Sequence, residues 1–117
     1  CLYIIQGYAK HFKNIYSLRI ENKKINGLYD TGNNTNYLNV PIVYLSQSLY
    51  SELYLYVTDI EISTVNNISK IAIYQGPKVV IDKKSLNVYY AFCNIDTKEY
   101  QAILPNNIFD SSHNITK

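Results

Sequence analysis

Gly27-Leu28-Tyr29-Asp30-Thr31-Gly32-Asn33 is an apolar approach to a tight turn that carries a carboxylate. A turn of this kind, straight after a strand, holds one reactive group rigidly at a surface with backbone amides beside it. It is half of a catalytic device. An aspartic-protease centre needs two carboxylates sharing a proton, and the tripeptide Asp30-Thr31-Gly32 occurs once in the chain. The same three residues also make an ordinary turn, so their surroundings have to separate catalysis from simple chain reversal.

Upstream, Ile15, Leu18 and Ile20 are spaced among polar residues. Asn22-Lys23-Lys24 is a polar turn, and Ile25 to Tyr29 returns as the second arm of a hairpin that delivers Asp30. Downstream, the asparagine-rich stretch 33–39 reads as a loop, and Val40-Pro41-Ile42-Val43-Tyr44-Leu45 as a buried strand with proline near its start. Leu45, Leu49 and Leu53 predict one or two helical turns over 46–53. Strand patterns resume over 54–65, 68–74, 78–81 and 86–95, separated by Asn66-Asn67, Gln75-Gly76-Pro77 and Asp82-Lys83-Lys84. Ala102-Ile103-Leu104 precedes Pro105, which suits the first position of a short helix through Phe109. Short strands at this spacing predict an all-β domain.

Of the other acids, Glu21, Glu52, Glu61, Asp82, Asp96, Glu99 and Asp110 sit in polar company and read as solvated surface groups, while Asp59 reads as a bulge or flap residue. Asp30 follows an apolar strand. Thr31 can bond across an interface, and Gly32 lets another backbone come close.

The 117 residues, 47% of them hydrophobic, suffice for one core and not for two lobes. Eleven basic and nine acidic side chains leave a net charge of +2 with no dominant run, so neither a nucleic-acid groove nor an acidic tail is announced. Cys1, Cys93, His11 and His113 match no metal-ligand spacing, and no metal or cofactor is expected. The cysteines are expected as two free thiols, which suits a reducing compartment. No run is long enough to span a membrane, so the chain as given reads as soluble. Leu2-Tyr3-Ile4-Ile5 followed by Lys10, His11 and Lys13 reads either as a first strand or as the end of a membrane helix with a basic flank.

From Ile15 to about Phe109 the chain resembles the C-terminal protease domain of the sporulation sigma-E factor-processing peptidases of endospore-forming bacteria. The likeness runs through Ile15-Tyr16-Ser17-Leu18-Arg19-Ile20, Lys24 and Gly27-Leu28, then Asp30-Thr31-Gly32-Asn33 and Pro41-Ile42-Val43. It continues in Pro77-Lys78-Val79-Val80-Ile81 and Glu99-Tyr100-Gln101-Ala102-Ile103-Leu104-Pro105. Two stretches depart from the family pattern: the loop between Asn33 and Pro41 is shorter, and 58–67 lacks a basic, glycine-containing pattern.

The resemblance implies a retropepsin-like aspartic endopeptidase: a β-barrel with a short C-terminal helix, one subunit of a homodimer in which each chain supplies one Asp30. Thr31, Gly32 and Asn33 would support the catalytic loop. The implied substrate is the precursor of sigma-E, cut at its N-terminal pro-sequence once a forespore-derived signal protein engages the protease. A membrane part N-terminal to this chain would put the protease domain on the mother-cell side of the cell membrane. Residues 1–13 would then be a stub of that part, 14–110 the protease domain and 111–117 a polar tail. Two rivals remain. One is a phosphate-binding loop like that of actin-like ATPases, which the length and the missing second motif disfavour. The other is a non-catalytic β-rich dimerisation module on the same scaffold.

Overall fold

The computed structural model describes residues 14–63 and 66–109. It is mainly β. The strands are β1 (Ile15–Ile20), β2 (Lys23–Tyr29), β3 (Asn36–Tyr37), β4 (Val40–Ser46), β5 (Leu55–Ser63), β6 (Ile68–Gln75), β7 (Val79–Ile81), β8 (Lys84–Leu86), β9 (Tyr89–Cys93) and β10 (Ala102–Leu104). Their order in the sheet is β5-β6-β9-β4-β10-β2-β1-β7-β8, with β3 paired to β4. The sheet is open, because β5 and β8 end it without pairing to each other; the expected barrel is corrected on this point.

Local chemistry explains the hairpins. β1 and β2 pair from Ile15↔Leu28 to Ile20↔Lys23, so the turn is the two residues Glu21-Asn22, tighter than the turn expected through Lys24. At the β7–β8 turn both Asp82 and Lys83 take positive φ, 54° and 67°, which matches the twist a two-residue hairpin needs. The β3–β4 turn does the same with Leu38 and Asn39, at 52° and 66°. This hairpin lies inside the stretch expected to be plain loop; leucine is a poor residue for positive φ and gives no turn signal.

The central strands are apolar on both sides. Along β4, Val43 and Leu45 face a cluster with Leu18, Ile20, Ile25, Val79, Ile81, Tyr90 and Leu104. Ile42 and Tyr44 face a second cluster with Leu28, Ile73, Ala91, Tyr100 and Ile103. The period of two thus splits one continuous apolar run between two half-cores. β10 repeats the division, with Ala102 and Leu104 on one side and Ile103 on the other.

β10 positions the site. It lies between β2 and β4, parallel to β2 (Ala102↔Gly27, Ile103↔Leu28, Leu104↔Tyr29) and antiparallel to β4 (Ala102↔Leu45, Ile103↔Tyr44). β4 in turn runs parallel to β9. The last strand of the described chain is therefore inserted between β2, which leads into Asp30, and β4.

Three more expectations change. Over 46–53 only a 3₁₀ turn, Gln47–Leu49, forms: Ser46 gives no side-chain cap and Tyr50 is already extended. After Pro105 there is a single turn and no helix through Phe109. The Ile108 N–H reaches the Pro105 carbonyl, but the N–H and C=O of Asn106 are bonded to Asn33 and Tyr29 instead of to a helix. Finally, the expected strand over 86–95 divides into the end of β8 and β9.

The β5 bulge falls between Tyr56 and Thr58, and Asp59 pairs regularly with Ala72. Cys93 is disulfide-bonded, not a free thiol, so the thiol argument for a reducing compartment loses its basis. Cys1 and the proposed stub 1–13, Thr64 and Val65, and the tail from Asp110 lie outside the described residues. Among the described residues no helix is long and apolar enough to cross a membrane.

Candidate active site at the Asp30 turn

Asp30 leaves the end of β2 with its N–H donated to the Leu104 carbonyl at 3.1 Å, which carries the β2–β10 ladder one step past the last paired residues. The chain then turns sharply. The Asn33 N–H donates to the Asp30 carbonyl at 3.0 Å, and the Gly32 N–H donates to Asp30 Oδ1 at 3.0 Å. The carboxylate is thereby oriented by its own loop and stays half-buried, while Thr31 and Gly32 are exposed. Such Asx geometry is the local habit of aspartate in turns.

Asn33 does more than order a turn. It is 6% exposed, the one buried polar or charged residue among those described. Its Oδ1 accepts from the Thr35 N–H at 3.2 Å and from Thr35 Oγ1 at 2.7 Å. Thr35 also hydrogen-bonds the Tyr44 hydroxyl, which partly offsets the upward push that burial gives the Tyr44 pKa. The Asn33 Nδ2 is buried without a hydrogen-bond partner among the described residues.

A second layer comes from the turn after β10. The Asn106 N–H donates to the Asn33 carbonyl at 2.7 Å and Asn106 Nδ2 to the Thr31 carbonyl at 3.3 Å; the Tyr29 hydroxyl donates to the Asn106 carbonyl at 3.0 Å. Asn106 therefore holds the Asp30 loop by two hydrogen bonds and the end of β2 by a third. Tyr29 is braced by Tyr16 and Phe109, with ring centroids 6.0 and 5.4 Å away. Tyr100 lies close enough to feel the loop. Burial first, then the charges of Glu99 and Asp30, hold its hydroxyl above the ordinary tyrosine range.

All four sequence-derived site residues, Asp30, Thr31, Gly32 and Asn33, thus stand in one bonded turn. Tyr29, Thr35, Leu104 and Asn106 are the parts that sequence reasoning did not find. Asn106 could have been suspected only as a polar residue directly after an apolar strand and a proline. Chemically, the turn presents one carboxylate with one oxygen fixed by an amide, able to give or take a proton at a surface. No group of three or more His, Cys, Asp or Glu suited to a metal occurs among the described residues.

A cleft of about 610 Å³ lies elsewhere, between residues 20–25 and residues 48–54. It is at the opposite end of β2 from Asp30 and is not the site of this carboxylate. No protein-family model matches the chain, and no curated protein matches it significantly.

Proposed function

We propose that the chain is the protease domain of a homodimeric aspartic endopeptidase on a retropepsin-like scaffold, each subunit giving one Asp30. The observation that carries this reading is the placement of β10 between β2 and β4, which fastens the Asp30 turn to the Leu104 carbonyl and to Asn106. A carboxylate that must meet its twin needs a loop held by more than its own turn.

Two such carboxylates about 3 Å apart share one proton. One polarises the scissile carbonyl; the other takes a proton from the bound water that attacks it. Thr31, exposed at the tip, bonds across the two-fold axis, and Gly32 leaves room for substrate and the partner loop. The resemblance supplies the substrate: the precursor of sigma-E, cut at its N-terminal pro-sequence at the cell membrane under control of a forespore signal protein.

The test is co-expression of the chain, in its membrane-attached form, with that precursor, comparing wild type with Asp30→Asn. Processing is expected to stop in the variant, and processing that continues would overturn the reading. Sedimentation over a range of concentrations adds a second check, since a chain that stays monomeric throughout has no second carboxylate. The alternative is a non-catalytic dimerisation module on the same scaffold. It predicts that Asp30→Asn leaves both pairing and phenotype unchanged.

A further inference from the structure

The two ends of the sheet are unlike each other. β8 has three residues, begins at Lys84 and follows the Asp82-Lys83 turn, a short lysine-bearing edge of the kind that discourages added strands. β5 has nine residues, and none of the described residues pairs with its outer side. Beyond the bulge its regular part is Thr58–Ser63, where Thr58, Ile60 and Ile62 are half-buried and Asp59, Glu61 and Ser63 are exposed. A row of unpaired amides and carbonyls with a clear two-residue alternation is a template for another strand.

The chain just before this edge is a shelf of exposed apolar surface. Tyr50, Leu53, Leu55 and Tyr56 are each more than half exposed. Its rings are backed by others: Tyr50 and Tyr56 rest on Tyr74, and Tyr50 and Tyr54 on Phe92, in edge-to-face pairs. Tyr50, Leu53 and Tyr54 also form one wall of the cleft opposite Ile20–Ile25.

Charge sets the kind of partner. Between residues 50 and 75 there are three carboxylates, Glu52, Asp59 and Glu61, and one cation, Lys70, in a chain whose net charge is +2. Asp59 accepts a hydrogen bond from the Tyr56 hydroxyl, and Glu61 stands opposite Lys70. A second copy is a poor occupant. Antiparallel self-pairing centred on Ile60 sets Asp59 against Glu61 of the other copy, and centring on Asp59 sets it against itself.

We infer that β5 is a docking edge for an extended segment of another protein in which basic and apolar residues alternate. Its backbone completes the ladder along Thr58–Ser63. Its basic side chains lie beside Asp59 and Glu61, and its apolar ones beside Ile60 and Ile62. This does not rest on the protease reading, and Asp30→Asn leaves it unchanged.

The test uses the 117-residue chain, isotope-labelled, with a blocked nine-residue peptide of alternating lysine and valine, and a matching peptide of alternating glutamate and valine. At saturating lysine peptide, amide exchange at alternate residues of Thr58–Ser63 is expected to slow by at least about tenfold. The double variant Asp59→Lys, Glu61→Lys, its fold checked by its amide spectrum, is expected to shift preference toward the glutamate peptide by roughly tenfold. Equal protection by both peptides, protection confined to other strands, or none at millimolar peptide would overturn the inference. So would protection of β5 without peptide. Growth with protein concentration would assign the edge to a second copy, and independence of dilution would assign it to the chain itself.

Discussion

Leu38 shows how far one residue can be set against its own preference. It takes φ 52° at a hairpin turn and is 70% exposed, so nothing in the packing compensates the left-handed backbone. Leu38→Asn is expected to raise stability by about 0.5–1 kcal/mol, read as a higher urea midpoint at unchanged m-value. Asn33 is the opposite case, a polar residue made essential by burial. Asn33→Ala leaves the Thr35 N–H and hydroxyl without their acceptor and is expected to cost about 1–3 kcal/mol. Amide exchange of Gly32 and Asn33 should quicken more than that of β7 or β8, because the loss is local to the Asp30 loop.

At the scale of elements, Leu18 of β1 and Leu104 of β10 close over β2 at Gly27, where it carries no side chain. A Cβ there would stand 2.7 Å from Leu18 Cδ2 and 3.1 Å from Leu104 Cγ, both buried. Gly27→Ala is therefore expected to destabilise by about 1–3 kcal/mol in denaturant titration. It should also disturb Asp30 before it disturbs β8, since Leu104 holds the Asp30 N–H. The elements themselves were largely legible in the sequence: two apolar arms about a polar turn marked β1 and β2, alternation marked β5, a β-rich run between turn residues marked β6, and the apolar run marked β4. What misled was spacing without context. Leu45, Leu49 and Leu53 have helical spacing, yet Leu45 belongs to a strand and Leu53 is exposed. In the same way Pro105 suggested a helix, but Asn106, the residue after it, is bonded to the Asp30 loop.

For the molecule as a whole, the thirteen tyrosines are a structural resource with a consequence for pH. Burial raises the pKa of Tyr44, Tyr54, Tyr90 and Tyr100 above the ordinary value of 10.0, with nearby negative charge adding to the rise at Tyr54 and Tyr100. These groups hold their protons more tightly folded than unfolded. Their contribution is fully present below about pH 10 and is lost as pH rises toward the folded values. The urea midpoint should thus be insensitive to these groups through neutral pH and fall steeply above about pH 10, with tyrosinate absorbance appearing together with unfolding. A midpoint unchanged to pH 11.5 would contradict this assignment.

The sequence by itself determined the β class, most strand positions and the Asp30-Thr31-Gly32-Asn33 turn, because side-chain period and turn chemistry act between near neighbours. Only the tertiary structure decided that β10 enters between β2 and β4, that Asn106 grips a loop 75 residues earlier, and that β5 ends the sheet with no strand of the described residues on its outer side. Parallel pairing of distant strands depends on how two half-cores close around Val43, Leu45, Ile42 and Ile103, and no local pattern encodes that closure.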